Sequence, residues 1–407
     1  MKAEDYREYV RYREALRGRR LPLAFVDLDK FDRNVAYVAW TQRATGKTVR
    51  VHTKSLRCPA LIDRVFEVGG STFRGLMTFT VEETAWLADR GLDDFIVAYP
   101  SVQPSDMERM VEMTRANKTV SLMTDSIEHL RVMSEAGRRA GVVLQACLDV
   151  DMSYRPLGYG RLHLGVRRSP IRSVDQALAV AREALPLEGV NIDSIMGYEG
   201  HIAGPNDDVP GQWLKNRLIR TLKKASIREF TPRRGNVVEE LGRLGLTLRA
   251  VNGGGSGSLF STGSDPSLTE VTAGSAFHGP GLFRHFQAVR FVPSAFFGLQ
   301  VVRRPAPNMI TCAGGGYVAS GAAGPDKLPR PVYPPGLEML PLEGAGEVQT
   351  PFLLPDGYPP PAPGDPVFLQ HAKGGELSER FNEFYLVQGD RIVDQVATYR
   401  GEGQAFL

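Results

Sequence analysis

From residue 22 to about residue 285 the chain alternates short apolar runs with amphipathic stretches, and few folds accept that pattern. Strands are predicted over 23–27, 49–54, 73–78, 95–99, 120–124, 142–149, 194–199 and 248–252. Helical periodicity fills 81–90, 126–140, 174–184 and 235–244 between them. Eight strands with intervening helices in about 265 residues match an α/β fold of the (β/α)8 TIM-barrel type. An open doubly wound sheet would carry Gly-x-Gly-x-x-Gly after its first strand, but Asp27-Leu28-Asp29-Lys30 stands there.

The pattern changes after Phe286. Short β-rich runs appear at 296–302, 309–312, 367–371, 384–387 and 392–398. The stretch 325–366 holds 13 of the 28 prolines, which predicts a long surface loop or partner-facing arm. The expected organisation is therefore an N-terminal helix over 1–20, a barrel over 21–286, and a C-terminal β domain over 287–407. Within the last, the proline-rich insertion spans about 325–366.

Composition narrows the function classes. A net charge of +3 gives no argument for a nucleic-acid or membrane partner. No run approaches the roughly 20 apolar residues of a membrane span, and residues 1–20 lack a signal-peptide core. Cys58, Cys147 and Cys312 have neither paired nor metal-type spacing, so a reducing, cytoplasmic setting is expected.

Polar residues gather where barrel strands end, the face on which such barrels carry their sites. Lys54 closes an alternating strand and shares a face with His52. About 200 residues later a strand runs into Asn252-Gly253-Gly254-Gly255-Ser256-Gly257-Ser258. A desolvated lysine amine forms Schiff bases, and the backbone N–H groups of a Gly/Ser loop bind phosphate. One cofactor, pyridoxal 5'-phosphate (PLP), uses both. Tyr198 and His201 flank Glu199-Gly200 at another strand end, offering a ring contact and an acid–base group. Arg155 follows Asp149 and Asp151 at a third, and can donate to the cofactor's phenolic oxygen.

These segments resemble the fold-type III PLP enzymes that include D-threonine aldolase and eukaryotic D-serine dehydratase, related through the barrel to alanine racemase. The matching stretches are Leu21-Pro22 leading to Asp27-Leu28-Asp29, Arg50-Val51-His52-Thr53-Lys54, Tyr198-Glu199-Gly200-His201, and the glycine loop. The resemblance implies that Lys54 is the Schiff-base lysine and that Arg155 meets the ring hydroxyl. It also implies that Tyr198 approaches the pyridine nitrogen and that Gly254, Gly255, Ser256 and Gly257 hold the phosphate.

The chain departs from that pattern in one place. Relatives carry a His-x-Cys or His-x-Asp pair that binds a divalent metal, whereas here His371-Ala372-Lys373 occurs. Either Glu376 or Glu379 joins His371 as a ligand, or the Lys373 ammonium replaces the metal's charge. The expected reaction is cleavage of a β-hydroxy-α-amino acid, of D configuration by the resemblance, to glycine and an aldehyde. His371 or His201 would be the base. A D-serine-type dehydratase, an amino-acid racemase, a non-catalytic PLP carrier and a PLP-independent sugar-phosphate barrel are the alternatives. The resemblance also implies a homodimer.

Overall fold

The computed structural model describes residues 3–158 and 161–407. Seventeen strands are found among them, labelled in chain order. Eight form a closed parallel barrel: β2 (Thr48–His52), β3 (Phe73–Thr78), β4 (Phe95–Val97), β5 (Val120–Thr124), β6 (Leu144–Asp149), β7 (Val190–Gly197), β8 (Ala250–Gly253) and β9 (Glu270–Ala273). Closure comes from β9 pairing back onto β2, with Thr48 opposite Glu270 and Val51 opposite Ala273. Helix starts are fixed locally: Thr80, Ser126 and Ser173 each accept a backbone N–H of the first turn, and Ser173 forms a full capping box with Gln176.

The barrel expectation holds, but one strand changes place. The first predicted strand, β1 (Leu23–Asp27), does not enter the barrel. It lies between β10 (Ala295–Ala306), antiparallel, and β16 (Glu383–Gln388), parallel. The eighth barrel strand is instead β9, whose polar Glu270 and Thr272 hide it from an apolar-run reading. Lys54 likewise lies just beyond β2, in a 3-10 turn over Thr53–Ser55.

The second sheet is built from both ends of the chain. It adds β11 (Met309–Ala313), β12 (Arg330–Tyr333), β13 (Glu338–Met339), β14 (Gln349–Leu353), β15 (Pro366–Gln370) and β17 (Arg391–Ala397). The proline-rich stretch is therefore not one loop. Pro331 and Pro351 sit inside β12 and β14, and β12 is an edge strand pairing with β15 alone, where a missing N–H costs no ladder bond. The N-terminal helix α1 (Ala3–Ala15) packs on this sheet. Its Tyr12 is fully buried among Phe25, Phe296, Tyr333 and Phe368 and donates to Asp27 Oδ2 at 2.6 Å. One further helix, Trp213–Arg243, was expected only over its last third, because Pro232 and a dense charge pattern obscure the rest. No described helix is long and apolar enough to cross a membrane.

Where barrel and sheet meet, His278 is wholly buried between the Phe31 and Phe384 rings, and neither ring nitrogen has a partner among the described residues. Burial pushes its pKa down from 6.5 to about 4. An unfolded imidazole takes up a proton near 6.5 and the folded one only near 4, so stability is lost as pH falls across that window. His278→Leu is expected to be at least as stable as the parent at pH 7. Its advantage in Tm should grow between pH 6.5 and 4, which calorimetry across pH would measure.

Candidate active site

The C-terminal ends of the barrel strands surround a cavity of about 150 Å³. Lys54 and His52 from β2 and its turn line it. So do Tyr99 after β4, Arg168, Tyr198 after β7, Asn252 and residues Gly254 to Gly257 after β8, and Gly274 and Ser275 after β9. Lys54 and the glycine loop, far apart in sequence, thus share one enclosed space.

Lys54 is oriented by Tyr99. Its Nζ donates to the phenolic oxygen at 2.7 Å. Burial alone would raise the Tyr99 pKa, but the neighbouring Lys54 and Arg168 charges outweigh it and bring the phenol below its usual value. The Arg168 guanidinium lies 5.4 Å from the Tyr99 ring centre and 5.5 Å from that of Tyr198, between the two faces. His52 Nδ1 is 2.8 Å from the Met77 carbonyl, which fixes that nitrogen as the donor and leaves Nε2 bare. Burial, then the Lys54 charge, holds His52 well below the ordinary imidazole range.

The glycine loop is shaped for an anion. Ser256 Oγ accepts from the Gly274 and Ala276 amides at 3.2 and 3.0 Å and so ties the β8 loop to the β9 loop. The backbone amides of Ser256, Gly257 and Ser275 donate to no other group among the described residues. Three unspent N–H groups around one cavity form an anion cradle. Gly257 is required sterically, since a Cβ there would lie 2.2 Å from the Ala203 carbonyl, and Gly255 is closely hemmed, its Cβ position 3.3 Å from the Tyr198 ring. Ser258 faces inward, its hydroxyl used by Gly255 and Thr262. The loop is held from behind by Glu199, which accepts the Gly254 N–H at 2.6 Å and pairs with the buried Arg234.

This arrangement fits a phosphorylated aldehyde cofactor. The amine, the cradle and an aromatic pair between them converge on a single cavity.

Comparison with known proteins bears on the same point. Residues 26–279 match the alanine racemase N-terminal domain family. The chain belongs to that family. It is 25% identical over 311 residues to a D-threonine aldolase from Arthrobacter sp., an alignment covering 75% of this chain and 74% of that enzyme. Among solved structures it superposes on D-threonine aldolase from Filomicrobium marinum with a TM-score of 0.77, at 19% identity, over 94% of this chain and 95% of that one. D-threo-3-hydroxyaspartate dehydratase from Delftia sp. HT23 gives 0.75 at 16% identity, over 94% and 98%. At such identities the superpositions establish the fold.

Several expected site residues lie elsewhere. The arginine in the cavity is Arg168 and not Arg155, because Asp151 accepts from Arg155 Nη2 at 2.5 Å and Ser153 Oγ accepts from its Nε at 2.9 Å. His201 is outside the lining. Its Nε2 is 2.5 Å from Ser226 Oγ on the long helix, and burial pushes its pKa to about 4. His371 is also outside, with Nδ1 2.7 Å from the Lys373 carbonyl. Sequence reasoning did not single out Tyr99 or Arg168. Tyr99 ended a predicted strand and could have been weighed there, whereas Arg168 lies in a loop with no motif.

Gly257→Ala is expected to weaken cofactor affinity by roughly tenfold or more, measured by spectroscopic titration of the apoprotein, since the cradle must shift to admit the methyl. Arg234→Met leaves the Glu199 and Asp265 carboxylates without their cation and should cost about 3–5 kcal/mol in urea unfolding.

Proposed function

We propose that the chain is a PLP-dependent lyase that cleaves a β-hydroxy-α-amino acid of D configuration to glycine and an aldehyde. The observation that carries this reading is the Lys54 amine facing the same cavity as the unspent amides of Ser256, Gly257 and Ser275. Family membership and the D-threonine aldolase relative support the reaction class and the stereochemistry.

PLP, when bound, supplies an aldehyde for amine exchange and a ring that accepts the electron pair released at Cα. Lys54 would hold the cofactor through its amine. Tyr99 orients the lysine nitrogen and, with its lowered pKa, can hold or return the proton exchanged there. The Ser256, Gly257 and Ser275 amides would hold the phosphate, and the Tyr198 ring walls the cavity beside Gly255. Arg168 sets a positive charge between the two tyrosine faces, suited to the phenolic oxygen or the substrate carboxylate.

The base moves from the expected histidines to His52, a lining imidazole whose Nε2 is left bare by the Met77 contact. It accepts the β-hydroxyl proton as the Cα–Cβ bond breaks. Its depressed pKa keeps it unprotonated below the usual imidazole range, so the acid limb of kcat/KM should fall below pH 6.5. A homodimer in the cytoplasm fits the family resemblance and the three free, buried cysteines.

The holoenzyme is expected to show a violet absorbance band that borohydride bleaches and Lys54→Ala lacks. No such band would end the PLP reading. With D-β-hydroxy amino acids, aldehyde and glycine should accumulate, whereas keto acid and ammonia would assign a dehydratase. His52→Phe should lower kcat by about 10²–10⁴ while keeping the band, read by stopped-flow.

A further inference from the structure

The segment that carries the metal pair in relatives does not suit a metal here. Lys373 holds an ammonium without a lone pair where a thiolate or carboxylate is needed. His371 Nδ1 is 2.7 Å from the Lys373 carbonyl and 3.2 Å from the Lys373 amide, so His371 has at most one nitrogen, Nε2, to offer a metal and, among the described residues, no second ligand beside it. Both substitute carboxylates are already engaged. Glu376 accepts the Ser320 amide at 3.0 Å and the Ser320 hydroxyl, and Glu379 is paired with Arg57. Among the described residues no three His, Cys, Asp or Glu side chains converge.

The segment that carries Lys373 nevertheless packs against the cavity wall, with Lys373 itself outside the residues that line it. The Gly281 and Leu282 amides donate to the His371 and Ala372 carbonyls at 3.0 and 2.9 Å, and Leu282 lines the cavity. Gly375 packs so tightly on the Lys54 turn that a Cβ would lie 1.9 Å from the Lys54 carbonyl oxygen, and one at Gly374 would lie 3.0 Å from that of Ser55. The Lys373 ammonium is itself positioned. It donates to Ser320 Oγ at 2.9 Å and lies 3.9 Å from Glu376 Oε1, with about a third of the side chain exposed. An ammonium has three N–H groups, and one is spent on Ser320.

We propose that the Lys373 ammonium serves in place of a divalent cation, binding the oxygen on the β-carbon of the substrate. The proposal rests on the lyase reading above and names the group that selects its β-oxygenated substrates. Lys373 supplies one charge and directed N–H donors, and no proton or electron pair leaves it.

The test uses purified holoenzyme. Elemental analysis should find no stoichiometric transition metal, calorimetric titration with Mn²⁺ or Zn²⁺ alone should give no site, and EDTA should leave turnover unchanged. Lys373→Met should raise KM for a β-hydroxy amino acid roughly tenfold or more. Its affinity for glycine, which lacks the β-oxygen, should stay within about twofold, read from the cofactor absorbance. Lys373→Arg should recover part of the loss, and Ser320→Ala should show a smaller rise in KM. Stoichiometric metal, EDTA-sensitive turnover, or an unchanged KM in Lys373→Met would overturn the proposal. Loss of the borohydride-sensitive band would instead strike the lyase reading, and the metal titrations decide the present point either way.

Discussion

A single buried guanidinium organises the working end of the barrel. Arg234, reaching in from the long helix, meets Glu199 just past β7 and lies 3.3 Å from Asp265 beyond β8. Glu199 then takes the Gly254 amide, so one carboxylate fixes both the Tyr198 strand end and the start of the anion cradle. Room for the guanidinium exists only because position 253 has no side chain: a Cβ there would sit 2.3 Å from Arg234 Nη1. In a water-poor interior these charges are tolerable only together, and the cradle inherits their rigidity.

A second polar ladder runs through the barrel itself. Arg50 forms two bonds to Glu270, at 2.6 and 2.9 Å, and a third to Asp94 at 3.0 Å. Glu270 accepts from Asn252, which in turn accepts from Thr272, and these last two reach the cavity floor. Arg50, His52 and Lys54 therefore occupy successive alternate positions: Arg50 locks the barrel, while His52 and Lys54 line the cavity, where the proposed duties are proton acceptor and tether. Beneath the lysine turn, the buried Glu83, pushed to about 7 by burial, accepts from the Phe79 amide and the Tyr399 hydroxyl and links the chain's last segment to the barrel.

What the sequence discloses follows from how local each signal is. Lys54 and the glycine loop are legible because a strand-end lysine and a Gly/Ser run carry their chemistry in adjacent residues. The barrel is legible from alternation. The location of β1 is not, since an apolar run reads alike whether its neighbours are parallel barrel strands or strands near the far end of the chain. Arg168 and Tyr99 escape because their role comes from tertiary proximity to Lys54. His201 shows the converse: a motif histidine faces Ser226 because the unforeseen part of the long helix packs there.

The pairing of β1 with β16 also governs how the polypeptide can be assembled. Val26 registers with Leu386, some 360 residues later. During synthesis the first strand leaves the ribosome long before that neighbour exists, and such distant closure is slow. Until the last strands arrive, Phe25 and Val26 lack one flank of their cover, so the nascent chain must keep an aromatic edge from pairing elsewhere after the barrel has formed beside it.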